Sequence, residues 1–141
     1  MKYHFKIHKE QDGFWAECLE LEGCRTQADS KEELLEMMED ALNTYLDDPD
    51  CDSKCAELPD DLMKVTRTIV AVRPDPKLAF QLLLRHAREQ SGKTQHDMKK
   101  LLGYKSVNAY QRLERNSNPT INTMWRIKKA LPELSLDRLF S

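Results

Sequence analysis

The sequence predicts an α+β protein of two small domains: a β-β-β-α-β domain over residues 1–73 and an all-α domain of five helices over residues 77–141. The hydrophobic period changes from two near the N-terminus to a helical period after residue 76, with residues 74–76 as the linker. The charge changes at the same place. Residues 1–73 hold 9 Lys/Arg and 18 Asp/Glu, a net of −9, whereas residues 74–141 hold 13 and 6, a net of +7.

This charge asymmetry limits the kinds of molecule that each half can be expected to bind. The basic half favours a polyanion, and the acidic half favours either a basic protein or solubility alone. The clearest apolar runs, Ile69–Val72 and Leu82–Leu84, are far too short to span a membrane. The N-terminal alternation is not that of a signal peptide, so we expect a cytoplasmic protein without a membrane partner.

Three strands are expected first. Residues 1–9 alternate, with Tyr3, Phe5 and Ile7 on one face and charged or His side chains on the other. Asp12-Gly13 is a strong turn signal, so residues 14–19 are predicted to return as the second strand. A third short strand is expected at Cys24–Gln27, after Gly23.

A helix should follow and cover the sheet. Ser30 and Glu33 form a capping box, and an apolar stripe at helical spacing comes next: Leu34, Met38, Ala41, Leu42 and Tyr45, widened by Leu35 and Met37. Residues 47–62 are polar and contain two prolines, so they are predicted to be a loop. The β-branched segment Val65–Val72 is predicted to close the sheet.

All four cysteines lie in the acidic half, at positions 18, 24, 51 and 55. Their spacing lacks the C-x2-C or Cys/His pairs of a zinc site. We therefore expect free or buried thiols, with no metal and no cofactor.

The acidic half resembles the N-terminal domain of HicB antitoxins. The resemblance lies in Gly13-Phe14-Trp15, in the stretch Leu21-Glu22-Gly23-Cys24-Arg25-Thr26-Gln27-Ala28-Asp29-Ser30, and in Glu32-Glu33-Leu34. Glu22 stands where the family usually has Pro, and Ala28 where it has Gly. The resemblance implies a partial ribonuclease-H-like fold. Such a nuclease needs carboxylates converging on metal ions, and the first strand carries no acid between Met1 and Lys9, so we expect no catalytic residues and no enzyme.

The basic half shows helix start and stop signals in succession. Asp75-Pro76 begins a helix with core residues Phe80, Leu83, Leu84 and Ala87, and Thr94 with Asp97 caps a second one carrying Met98, Leu101 and Leu102. Gly103 ends that helix. Ser106 begins a third helix, with Tyr110 and Leu113 facing inward. Thr120 begins a fourth helix, whose apolar residues are Met124, Trp125, Ile127 and Leu131, and Ser135 begins a last turn.

Short capped helices with a Gly turn between the second and third describe a helix-turn-helix domain. Arg88–Leu139 resembles the phage-repressor (Cro-like, XRE) family, in Arg88-Glu89-Gln90-Ser91-Gly92-Lys93-Thr94-Gln95, Leu102-Gly103 and Tyr110-Gln111-Arg112-Leu113-Glu114-Arg115-Asn116. The resemblance implies that Gln95 contacts a phosphate. It implies that base edges are contacted by Ser106, Val107, Asn108 and Arg112, with Gln111 nearby. It also implies that the DNA backbone is contacted by Arg115 and Asn116. Lys105 adds phosphate attraction. Glu114 is expected to pair with Arg88.

Together the resemblances imply the antitoxin of a type II toxin–antitoxin pair, which would neutralise a HicA-like ribonuclease toxin and repress its own operon through double-stranded operator DNA. Toxin contacts are predicted at Trp15, Glu17, Glu20 and Glu22. In the competing interpretation, Trp15 is a core residue and the acidic side chains only keep the domain soluble. A homodimer or tetramer is expected, with Leu136, Leu139 and Phe140 at the dimer contact. The alternative is a transcriptional regulator whose N-domain senses a small molecule or another protein, and the helix-turn-helix could also serve dimerisation alone.

Overall fold

A computed structural model describes residues 1–48, 56–115 and 118–141. It contains two compact units, one built on Met1–Leu78 and the other on Ala79–Phe140. The first contains an antiparallel sheet and one long helix, and the second consists of helices, so the predicted α+β class and the β-β-β-α-β order are confirmed. Among the described residues, no helix combines the length and apolar character needed to cross a membrane.

The sheet has the strand order β3-β2-β1-β4, with every neighbouring pair antiparallel. The strands are β1 (Tyr3–Glu10), β2 (Gly13–Cys18), β3 (Arg25–Ala28) and β4 (Ile69–Val72). Phe5 lies opposite Cys18 on one side and Val70 on the other, which fixes the register of the central strand. Gly13 has a φ of 152°, and a Cβ there would lie 2.6 Å from the Ala28 carbonyl oxygen, so the strand start requires glycine.

The helix α1 (Lys31–Leu46) begins at Ser30, whose Oγ accepts the Glu33 backbone N–H at 3.2 Å. Leu34, Met38 and Leu42 are fully buried, and α1 packs on β2 and β3. The predicted widening of this stripe was wrong. Leu35 and Met37 are 48% and 36% exposed, because they lie beyond the edge of the helix face that contacts the sheet.

The bounds of β1, β2 and β3 differ from the predicted ones by one or two residues, and two differences are larger. The last strand begins at Ile69 rather than Val65, because Thr66 forms a turn: its N–H donates to the Ile69 carbonyl at 2.9 Å and its Oγ1 accepts the Ile69 N–H at 3.1 Å. His4, predicted on the face with the charged side chains, is buried, and the Glu20 carboxylate hydrogen-bonds to its ring. At β4, a side-chain hydrogen bond to the backbone therefore sets the strand boundary, in a segment whose β-branched residues predicted a longer strand.

The second unit contains α2 (Pro76–Gln90, whose first turn lies in the first unit), α3 (Gln95–Leu102), α4 (Val107–Arg115), α5 (Ile121–Ala130) and α6 (Asp137–Phe140). The five helices were all predicted. Their core includes the following buried side chains: Phe80, Leu83, Leu84, Ala87, Met98, Leu102, Tyr110, Leu113, Ile127 and Leu131. Leu101 and Trp125, predicted inside, are 55% and 59% exposed, and the Lys129 Nζ lies 3.6 Å from the centre of the Trp125 ring.

Candidate nucleic-acid interface

The turn between α3 and α4 sets the geometry of the candidate interface. Thr94 and Asp97 form the predicted capping box at the start of α3, and Gly103 ends that helix with a φ of 74°. The Tyr104 N–H donates to the Lys99 carbonyl at 3.0 Å, which satisfies one of the last carbonyls of α3. Ser106 then begins α4, with its Oγ accepting the Ala109 N–H at 3.1 Å.

The recognition-helix candidate α4 has two distinct faces. Tyr110, Leu113 and Glu114 are buried against the rest of the unit. Asn108, Arg112 and Arg115 are exposed, and their spacing of four and three residues aligns them along one side of the helix. This side is therefore open to a ligand.

The remaining predicted DNA contacts lie around this exposed side. Val107 and Gln111 are half-buried at its margins, and Lys105 and Ser106 are exposed just before the helix. The Ser106 hydroxyl serves as a helix cap. Asn116 lies outside the described residues. The structure thus brings the other α4 candidates into one contiguous region.

The exposed side chains have the chemistry for reading DNA. A guanidinium such as that of Arg112 can donate two hydrogen bonds to guanine O6 and N7, and the Asn108 amide can pair with adenine N6 and N7. The Val107 methyls suit a thymine methyl. Arg115 and Lys105 carry positive charge at the two ends of the same side, where phosphates would flank a bound helix.

The buried side of α4 carries one carboxylate, that of Glu114, whose side chain is only 3% exposed. The predicted ion pair with Arg88 is present, through a short hydrogen bond from the Arg88 Nε to the Glu114 Oε1. The Tyr110 hydroxyl donates to the same oxygen at 2.7 Å, and the Gln95 Nε2 donates to Oε2 at 3.0 Å. These contacts compensate for the removal of a charge from water.

The same contacts fix the protonation of its partners. Burial alone would lower the pKa of Arg88, but the hydrogen bond and the charge of Glu114 outweigh it, so the Arg88 pKa is raised. Burial, followed by the charge of Glu114, raises the pKa of Tyr110. Arg88 therefore stays charged and the Tyr110 hydroxyl stays a donor at neutral pH.

Gln95 is held at both ends of its amide. Its Nε2 donates to Glu114, and its Oε1 accepts from the Gln111 Nε2 at 2.9 Å. A primary amide has two N–H groups, so one donor of Gln95 is left for a ligand such as phosphate. The sequence pattern marked Gln95 and Gln111 only as separate DNA contacts. No local spacing connects them, because Gln95 and Gln111 lie on different helices and meet only through the packing of α3 on α4.

The acidic unit holds the predicted toxin contacts in two different environments. On the sheet face that α1 does not cover, the Trp15 ring stacks on His8 at 4.0 Å, and the His8 Nε2 lies 3.3 Å from the Glu17 Oε1. Glu22 is exposed in the following turn. Glu20 points inward instead: its side chain is 6% exposed and its carboxylate accepts the His4 backbone N–H at 2.9 Å.

The predicted dimer residues are partly accessible. Leu136 and Leu139 are half-buried, whereas Phe140 is 73% exposed. The described part of the chain contains no group of three or more His, Cys, Asp or Glu side chains that could hold a metal ion.

Comparison with known proteins adds two similarities. A helix-turn-helix family model matches residues 84–139, which include all of α3, α4 and α5. The chain is also 40% identical over 48 residues to a UPF0150 protein of Archaeoglobus fulgidus, a match that covers 33% of this chain and 70% of that protein. The helix-turn-helix match identifies the second unit as a DNA-binding regulator domain.

Proposed function

Because the chain belongs to the UPF0150 family, which is related to HicB, we propose that it is the antitoxin of a type II toxin–antitoxin pair. Its first unit binds and neutralises a HicA-like ribonuclease toxin, and its second unit binds the operator of its own operon and represses it. The single observation that carries the proposal is the union of a HicB-related family with a helix-turn-helix domain in one chain. A distant likeness of the first unit to ribonuclease H, without its catalysis, is part of the proposal.

Charge and surface support the toxin-binding half. A ribonuclease holds RNA through positive charge, and an acidic cover would neutralise that surface. Exposed carboxylates along one side of α1 add to the negative charge of the unit, although α1 lies on the opposite side of the sheet from Trp15: Glu32, Glu33, Glu36, Glu39 and Asp40. Opposite charge speeds encounter, and apolar anchors such as Trp15 supply lasting affinity. Glu17, on the same sheet face as Trp15, and Glu22, exposed in the turn after β2, are the candidate charged contacts, while Glu20 supports that turn from inside.

The proposed function is tested by separating its two activities in one protein. We expect the wild-type chain, co-expressed with a small basic protein encoded beside it, to bind that protein, rescue growth and repress the shared promoter. Asn108→Ala/Arg112→Ala should rescue but not repress, because it removes only the exposed side of α4. Glu17→Lys/Glu22→Lys should repress but not rescue, because it reverses charge at the toxin contact.

The readouts are growth, promoter activity and co-purification, with circular dichroism to show that each variant is folded. A folded wild-type chain that represses yet neither binds nor rescues from any neighbouring product contradicts the antitoxin proposal. The interpretation of the first unit as a sensor of a small molecule or another protein would then replace it.

We further propose that the protein is at least a homodimer. One recognition helix reads too few base pairs for a specific site, and helix-turn-helix operators consist of two half-sites about one helical turn apart. The exposed Phe140 ring, flanked by Leu136 and Leu139, is the candidate contact. Phe140→Asp should lower the oligomeric mass in light scattering and weaken operator binding, whereas Ser135→Asp, at an exposed position, should do neither. A wild-type monomer at protein concentrations that saturate the operator, or an operator without a dyad, contradicts this prediction.

A further inference from the structure

The buried cysteines Cys18 and Cys24 face each other across two strands. The β2–β3 register pairs Glu17 with Arg25, so the next position places Cys18 opposite Cys24. The Cys18 N–H donates to the Cys24 carbonyl at 2.8 Å, which continues the pairing beyond the regular ladder. Directly opposite side chains lie on the same face of a sheet, and here both are buried, at 6% and 3% exposure.

This placement matches what a disulfide requires. Directly opposite residues of antiparallel strands have Cα atoms about 4.5–5.5 Å apart, and disulfides join Cα atoms separated by about 4.4–6.8 Å. The two thiols are also close enough for each to shift the pKa of the other. The register therefore places the two Cα atoms within the range that a disulfide can join.

The environment gives the two thiols different reactivity. A hydrogen bond from the Cys18 thiol lowers the pKa of Cys24, although burial acts in the opposite direction. The same hydrogen bond, together with burial, raises the pKa of Cys18. Cys24 is thus the thiol that ionises first, and the thiolate is the nucleophilic form. The Cys18 Sγ also lies 3.5 Å from the Glu20 Oε2, a carboxylate held by His4, so a second acceptor for the Cys18 proton is present.

We propose that Cys18 and Cys24 form a reversible dithiol–disulfide couple that responds to hydroperoxides. The Cys24 thiolate attacks one oxygen of hydrogen peroxide and the O–O bond breaks. The hydroxide that leaves takes up the proton that Cys24 released on ionising and becomes water, and a Cys24 sulfenic acid remains. The Cys18 sulfur then attacks the Cys24 sulfur. The S–O bond breaks, the Cys18 proton leaves with the hydroxyl group as water, and the disulfide remains. Two thiols are oxidised and one peroxide is reduced to two waters.

The disulfide would change the turn between β2 and β3. It closes residues 19–23 into a small covalent loop and removes the S–H that faces Glu20. Glu20 then keeps His4 as its partner within a more rigid turn. The couple stands on the sheet geometry and does not depend on the proposed antitoxin function.

The test uses the full chain carrying Cys51→Ser/Cys55→Ser, so that the proposed pair contains the only thiols. Treatment with hydrogen peroxide should remove both titratable thiols and lower the mass by two hydrogens, without cross-linked dimers. A non-reduced digest should contain a Cys18–Cys24 linked peptide, and dithiothreitol should reverse the change. Circular dichroism should be unaffected.

Two single variants in that background assign the roles. Cys18→Ser should leave Cys24 to gain oxygen atoms under peroxide, since no second thiol can displace the sulfenic hydroxyl. Cys24→Ser should react with peroxide at least tenfold more slowly, because the thiol with the lowered pKa is gone. Retention of both thiols under peroxide that oxidises free cysteine, formation of only intermolecular disulfides, or equal reaction rates of the two variants would overturn the proposal.

Discussion

Glu114→Ala is expected to lower the free energy of unfolding of the helix-turn-helix unit by about 3–5 kcal/mol, the cost of leaving one member of a buried ion pair without its partner. Arg88, only 11% exposed at its side chain, would lose the carboxylate that compensates its charge. The Tyr110 hydroxyl, which donates to the same group, would be left buried without this acceptor. Gln95 would also lose the contact that orients its amide.

The matched control is Glu89→Ala. Glu89 also lies near Arg88, with the Arg88 Nη2 and the Glu89 Oε1 3.9 Å apart, but its side chain is 45% exposed. Its removal should cost no more than about 0.5 kcal/mol, as for other exposed pairs. Urea unfolding of the full chain in a Trp15→Phe background measures both, because Trp125 then reports on the second unit alone. Similar losses in the two variants would show that the buried network contributes no special stability.

The local signals in this sequence were sufficient to predict where most helices begin. Ser30, Thr94 and Thr120 each accept a backbone N–H of the first turn, as their residue types and positions predicted. Gly103 adopts the positive φ expected of a helix stop. Such features depend on a few neighbouring residues, so they can be read from a single sequence.

Features that depend on distant residues could not be predicted in the same way. The Arg88–Glu114 pair was predicted, but the sequence did not indicate that the Gln95 amide, from another helix, reaches the same carboxylate. His4 and Glu20 likewise bury each other's polar groups across the sheet, although each residue type is usually exposed. Trp125 has the helical spacing of a core residue, yet it lies at the surface, where the Lys129 ammonium group stands over its ring.

Asn108→Ala combined with Arg112→Ala should remove specific operator binding. Both side chains are exposed on the same side of α4, and each base-reading contact contributes about 1–3 kcal/mol of discrimination. Two such contacts amount to about 2–6 kcal/mol, so the double variant should lose roughly 30-fold to 10⁴-fold in operator affinity, while its affinity for unrelated DNA changes much less. Alanine favours a helix at both positions, so α4 should stay folded. Gel shifts with the operator and a scrambled duplex measure the two affinities.

Lys105→Ala is the matched comparison, because Lys105 is exposed just before α4 and carries charge without the geometry to select a base. It should weaken binding to the operator and to the scrambled duplex alike, and it should reduce the slope of log K against log salt by about one. The two kinds of variant thus separate base reading from phosphate attraction on one helix. Unchanged operator affinity in the double variant, with Lys105→Ala weakening both duplexes, would mean that another surface of the unit reads the bases. Unchanged affinity in every variant would mean that the unit does not bind DNA through α4, and a role in dimerisation alone would then be the better account of this helix-turn-helix.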